Sequence, residues 1–110
     1  MISIGCDIEE IARISKINVN HRLAYRILGE FELDLYKRFN SSRQTEFLAG
    51  RFCAKESIAK ALKQTITMKH IDLILNDGEL MTQINNYTVQ VSISHTKQHA
   101  MAMVIAYETT

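Results

Sequence analysis

The chain opens on a period of two. Ile2, Ile4, Cys6 and Ile8 alternate with Ser3, Gly5 and Asp7, which predicts a short strand with one apolar face and Asp7 on the polar one. Ile8, Ile11, Ile14 and Ile17 then recur every third residue, so a helix is expected directly after Asp7. Asn18 or Asn20 can cap a second helical stretch through Leu28; Gly29 provides a stop, and a short helix follows over about 31–39. Ser41 and Gln44 have capping-box spacing ahead of the longest helical segment, residues 42 to about 63, whose buried stripe is Phe47, Leu48, Phe52, Ala59 and Leu62. Beyond it the period returns to two. Ile71, Leu73 and Leu75 alternate, Asp77-Gly78 is a turn signal, and residues 80–84 return antiparallel. Asn85-Asn86 marks the next turn, Val89, Val91, Ile93 and His95 share a strand face, and a last strand runs over about 99–107 after a reversal at 96–98. This order predicts an α+β fold: an N-terminal strand, then helices, with the long helix packed on a C-terminal antiparallel sheet.

Length and composition narrow the class. With 110 residues, 46% of them hydrophobic, residues 1–110 are expected to form a single domain with a modest core. A net charge of +1 excludes an acidic solvating tail and a polyanion-coating protein, so any basic surface is local. Lys and Arg outnumber Asp and Glu 12 to 8 in residues 1–70 and are outnumbered 4 to 1 in residues 71–110. Cys6 and Cys53 lie far apart in apolar contexts without metal-ligand spacing, which predicts buried free thiols and a reducing compartment. No apolar window approaches a membrane span and no signal-type segment opens the chain, so the expectation is a soluble, cytoplasmic protein without a membrane partner.

Three places hold polar groups that the fold does not obviously require. Asp7, at a strand end, suits a helix N-cap or a hard-cation ligand. Arg51, Lys55, Glu56 and Lys60 lie on the long helix, where Glu56 and Lys60 have the favourable spacing of a solvated ion pair; yet Cys53, Ala54, Ser57 and Ala59 indicate packing around much of the circumference, where charges are paired or in use. His95 continues an apolar alternation, as a core histidine would, but with Ser92, Ser94 and Thr96 it also suits a phosphate site. Walker, dinucleotide, zinc-protease and nucleophile-elbow motifs are absent. Arg13, Lys16, Arg22 and Arg26, with no acidic residue between the first and the last, form a basic patch suited to an acidic protein surface or a solvated face. Without aromatic-rich basic motifs, nucleic acid is not the expected partner.

Gly5-Cys6-Asp7-Ile8 with Arg13, the run from Phe47-Leu48-Ala49-Gly50-Arg51 through Phe52-Cys53-Ala54-Lys55-Glu56-Ser57-Ile58-Ala59-Lys60-Ala61-Leu62, and Val91-Ser92-Ile93-Ser94-His95-Thr96 resemble the three blocks of the holo-[acyl-carrier-protein] synthase family, the small bacterial 4′-phosphopantetheinyl transferases. The order and separation of the blocks span nearly the whole chain. The resemblance implies transfer of the phosphopantetheine arm of coenzyme A to a serine of apo acyl carrier protein, with release of adenosine 3′,5′-bisphosphate. It also implies that Asp7 and Glu56 bind Mg²⁺, Lys60 contacts phosphate, Arg51, His95 and Thr96 hold coenzyme A, and Arg13, Arg22 and Arg26 dock the carrier. A homotrimer with active sites at subunit interfaces is part of the same implication. The chain departs from the family at Lys63-Gln64-Thr65, where a glycine usually follows the long helix, and in having no proline in a sheet turn. The rival readings are another Mg²⁺-dependent phosphate or pyrophosphate enzyme and a non-catalytic carrier-binding module; the latter needs none of Asp7, Glu56 and Lys60.

Overall fold

The computed structural model describes residues 1–109. Strand β1 (Ile2–Glu10) leads into helices α1 (Ile11–Ile17), α2 (Arg22–Ile27), α3 (Glu30–Arg38) and the 22-residue α4 (Ser41–Leu62), followed by β2 (Ile74–Asn76), β3 (Glu79–Ile84), β4 (Tyr87–His95) and β5 (His99–Glu108). The strands form one antiparallel sheet in the order β1-β5-β4-β3-β2, with Asp7 opposite Ala102 and His95 opposite Ala100. The expected α+β architecture is present, with α4 lying across the sheet.

Small residues bring that helix close. Cys53, Ser57 and Ala61 recur every fourth position on α4 and meet Ala100, Ala102, Val104 and Ala106 of β5 in the core. The Cys53 thiol donates to Ala100 O at 3.3 Å, and the Ser57 hydroxyl donates to Cys53 O at 2.7 Å. A Cβ on Gly5 would overlap the Ser57 carbonyl oxygen and stand 3.0 Å from Ala61 N, so only glycine allows β1 this approach. The buried face of α4 therefore runs through Cys53, Ala54, Ile58 and Ala61 as well as Phe47 and Leu48, while Phe52, Ala59 and Leu62 are half-buried.

Four local expectations are corrected. β1 continues through Glu10, where Ile11 N reaches Gln98 O at 2.8 Å, so Asp7 is a strand residue and not a helix N-cap. The cap of α4 is Asn40, whose side chain accepts from Arg43 N at 2.9 Å, and Ser41 is the first helical residue. Ile71 and Leu73 are buried in irregular chain, leaving β2 only three residues long. Cys53 is buried as expected, but Cys6 is exposed.

The last correction follows from the orientation of β1. Its Ser3, Gly5, Asp7 and Glu9 face is turned toward the protein, whereas Ile2, Ile4 and Ile8 are at least 64% exposed. Met101 and Met103 of the adjacent β5 lie opposite Ile8 and Cys6 and are also exposed, so a continuous apolar surface covers this outer face.

Candidate functional site

Because the alternation of β1 directs Asp7 and Glu9 to the α4 side, a strand carboxylate meets a helix lysine. Lys60 Nζ lies 3.2 Å from Asp7 Oδ1 and donates to Cys6 O at 3.0 Å. The other Asp7 oxygen, Oδ2, is buried and accepts no hydrogen bond from the protein. Burial pushes the Glu9 carboxyl above the usual range, as do its contact with Asp7 and the negative charges of Asp7 and Glu56, against the pull of Arg13. Burial raises the neighbouring Cys53 thiol to about 12, helped by the charges of Asp7 and Glu9. Glu56 is half-buried and lies one helical turn before Lys60; the ion pair made by Lys60 is with Asp7 instead.

This corner fits a magnesium ion. Its donors are carboxylate oxygens, and Asp7 Oδ2 is a desolvated acceptor without a donor. Among the described residues no three metal-ligating side chains form a closed cage. An open set of one or two carboxylates is how proteins hold Mg²⁺ when substrate phosphate completes the coordination.

A second feature is a cleft of about 440 Å³ between the first half of α4 and strands β2 to β4, lined among others by Arg43, Arg51, Ser92 and His95. Arg51 is largely buried, with its guanidinium 4.4 Å from the centre of the Phe47 ring and its Nε donating to Glu32 Oε2 at 3.0 Å. His95 is 38% exposed at the rim, 3.8 Å from Glu46, so it is not a core histidine. Thr96 orders the following turn, its hydroxyl accepting from Gln98 N and His99 N.

The basic segment divides. Arg13 is paired with Glu9 at 2.7 Å, whereas Arg22 and Arg26 are exposed on α2 with no ion-pair partner among the described residues. Asn18 holds the start of this helix, accepting from Ala24 N at 3.0 Å and donating to Tyr36 Oη.

Sequence reasoning missed Glu9, although its place two residues beyond Asp7 on the same face was a usable signal. It also missed Glu32, which is fully buried between Arg51 and Lys55 and 19 positions away from the former. Nothing local marks that pairing.

Oxygen donors with a lysine on one side of α4 and a cationic cleft on the other suit a small α+β protein that handles a phosphorylated ligand. Comparison with known proteins extends this: the chain belongs to the 4′-phosphopantetheinyl transferase superfamily, which matches residues 3–107. It is 37% identical over 111 residues to holo-[acyl-carrier-protein] synthase of Bacillus subtilis (strain 168), covering 93% of this chain and 92% of that protein. Against the synthase of the same name from Staphylococcus saprophyticus the identity is 40% over 109 residues, covering 93% and 94%. The fold matches a holo-(acyl-carrier-protein) synthase from Bacillus anthracis str. Ames in complex with CoA (3′,5′-ADP), with a TM-score of 0.84, 36% identity and coverage of 98% and 96%. A Helicobacter pylori synthase in complex with coenzyme A gives 0.78 and 27%, covering 94% and 99%.

Proposed function

We propose that residues 1–110 form one transferase domain that moves 4′-phosphopantetheine from coenzyme A to a serine of apo acyl carrier protein. The observation that carries this reading is Asp7, with Lys60 on one carboxylate oxygen and no donor on the other. In the reaction the serine oxygen bonds to the phosphorus bearing pantetheine, the bridging P–O bond breaks, and adenosine 3′,5′-bisphosphate leaves. Asp7 and Glu56 would hold Mg²⁺, which when bound would supply charge neutralisation to the pyrophosphate. Lys60 adds a fixed positive charge at the same oxygens, and Glu56 accepts the serine proton. Arg51 and His95 bind the phosphates of coenzyme A from the cleft, and Thr96 orders the turn that presents His95. A cytoplasmic setting agrees with two free thiols.

The cleft and the carboxylate corner do not meet within one chain. Arg51 and Lys60 are nine residues apart on α4, which at about 100° and 1.5 Å per residue places them on opposite faces and about 13 Å apart along the axis. A homotrimer in which the cleft of one copy faces the corner of the next resolves this. The exposed Ile2, Ile4, Ile8, Met101 and Met103 supply an apolar surface for such an interface.

The test is incubation with coenzyme A, Mg²⁺ and apo carrier, with the carrier weighed by mass spectrometry. Transfer is expected with the parent protein and is expected to vanish in Asp7→Ala and Glu56→Ala with the fold retained; ordinary turnover of either variant refutes the metal assignment. Arg22→Glu with Arg26→Glu should lower kcat/KM for the carrier, more at low salt than at high, while leaving coenzyme A affinity intact. Arg13 is left out because a carboxylate there would add to the Asp7 and Glu9 charges.

A further inference from the structure

Lys55 and Glu32 are both fully buried, and the chemistry proposed above gives neither a role. We infer that Glu32 is a positioning residue for coenzyme A binding, a carboxylate that fixes the Arg51 guanidinium in the cleft wall. The inference rests on the reading of that cleft as the coenzyme A site.

The hydrogen bonds divide into an anchor and a working contact. Glu32 Oε1 accepts from Lys55 Nζ at 2.5 Å and from Gly29 N at 2.9 Å, and Oε2 accepts from Leu73 N at 3.3 Å. Lys55 Nζ also donates to the carbonyls of Ile27, Met68 and Ile71 at 2.6–3.0 Å. The three N–H groups of Lys55 are thus fully taken up among four acceptors, and the carboxylate is locked from three directions without Arg51. Arg51 is therefore an additional partner rather than one that the pair requires.

The way Arg51 binds indicates its use. Arginine usually grips a carboxylate with two parallel bonds. Here only Nε reaches Glu32, and neither terminal nitrogen has a protein hydrogen-bond partner among the described residues. The Phe47 ring packs against the group and Glu32 holds one edge. What remains is a pre-oriented pair of N–H donors on a residue that lines the cleft, matched to phosphate oxygens.

The experiment is a double-mutant cycle between Glu32→Gln and Arg51→Met, with steady-state kinetics at saturating carrier and coenzyme A binding followed by calorimetry. Each single variant should raise KM and Kd for coenzyme A about tenfold and change kcat less than about twofold, and the double variant should be no worse than Arg51→Met alone. A lower melting temperature with unchanged KM in Glu32→Gln would mean a structural role only and overturns the inference. If Glu32→Gln does not fold, Glu32→Asp keeps the buried charge while shortening its reach toward Arg51; a raised KM supports the inference and an unchanged one overturns it. Should Arg51→Met itself leave KM unchanged, the cleft reading and this inference both fall. A raised KM in Arg51→Met with none in the Glu32 variants overturns the Glu32 role alone.

Discussion

Adding one methyl group at Gly5 tests whether the close approach of helix and strand creates the site. The new carbon overlaps the Ser57 carbonyl oxygen, and this atom belongs to the backbone of a helix held along its length by the sheet. It cannot rotate away, so α4 must retreat from β1 by on the order of 1 Å, a gap that forfeits a quarter to a half of each dispersion contact along Cys53, Ser57 and Ala61. Overpacking of this kind costs about 3 kcal/mol, the upper end of its usual range. At about 4–8 °C per kcal/mol the melting temperature should fall by about 12–24 °C, measured by circular dichroism at fixed protein concentration. Gly50→Ala is the internal control. Its new carbon meets only the Ile93 side chain, at 2.9 Å, while the helix interior gains about 0.8–1.0 kcal/mol from alanine, so the net change should stay within about 1 kcal/mol. Gly5→Ala should also lose transfer activity before it unfolds, because Lys60 on the displaced helix reaches Asp7 on the strand. Melting within about 3 °C of the parent, or equal loss in both variants, would refute the argument.

Lys63 ends α4 with a φ of 56°, a left-handed conformation that penalises a side chain, so Lys63→Gly should stabilise the protein by about 0.5–1 kcal/mol in urea denaturation. Asp72 caps α3 from a distance by accepting from Phe31 N and Glu32 N, and Asp72→Ala should cost about 1–2 kcal/mol in the same assay. In thiol labelling of the native protein at pH 8, Cys53 should stay unreactive because burial holds its thiol near 12, and Cys6 should become protected as protein concentration rises and its sheet face is covered. Labelling of both thiols at every concentration would count against the core packing and against the assembly.

Periodicity located α4 and the strands other than β2 because both patterns follow from backbone geometry, but periodicity does not say which face looks inward. In β1 the rule that apolar residues are buried points the wrong way. The side facing α4 accepts only Gly5 and the short polar groups, and Ile2, Ile4 and Ile8 are left outside. The helix caps were misread for a related reason: Asn40 and Ser41 are adjacent capping residues, and the choice between them is made by which side chain reaches Arg43 N. Asp7, Glu56 and Lys60 stand out in the sequence because they sit in motif blocks, while the fully buried Glu32 left no local trace, since its partners come from α4 and from the segment around Leu73.

The exposed isoleucines and the divided site share one explanation. A chain of this size has one long helix, and a substrate as extended as coenzyme A needs contacts on more than one of its faces. Arg51 lines the cleft by pointing away from the side where Lys60 meets Asp7, so the proposed site is divided between two faces of α4. In the proposed assembly another copy of the same chain supplies the complementary helix. Its attachment then needs an apolar surface outside the core, next to the strand that carries Asp7, and this is where Ile2, Ile4, Ile8, Met101 and Met103 lie. On this reasoning a charge placed at Ile4, which is 71% exposed and therefore harmless to an isolated chain, should convert an assembled protein into folded monomers that lack transfer activity. Ultracentrifugation of Ile4→Glu beside the mass-spectrometric transfer assay reads both consequences, and an active monomer would show that one chain is sufficient.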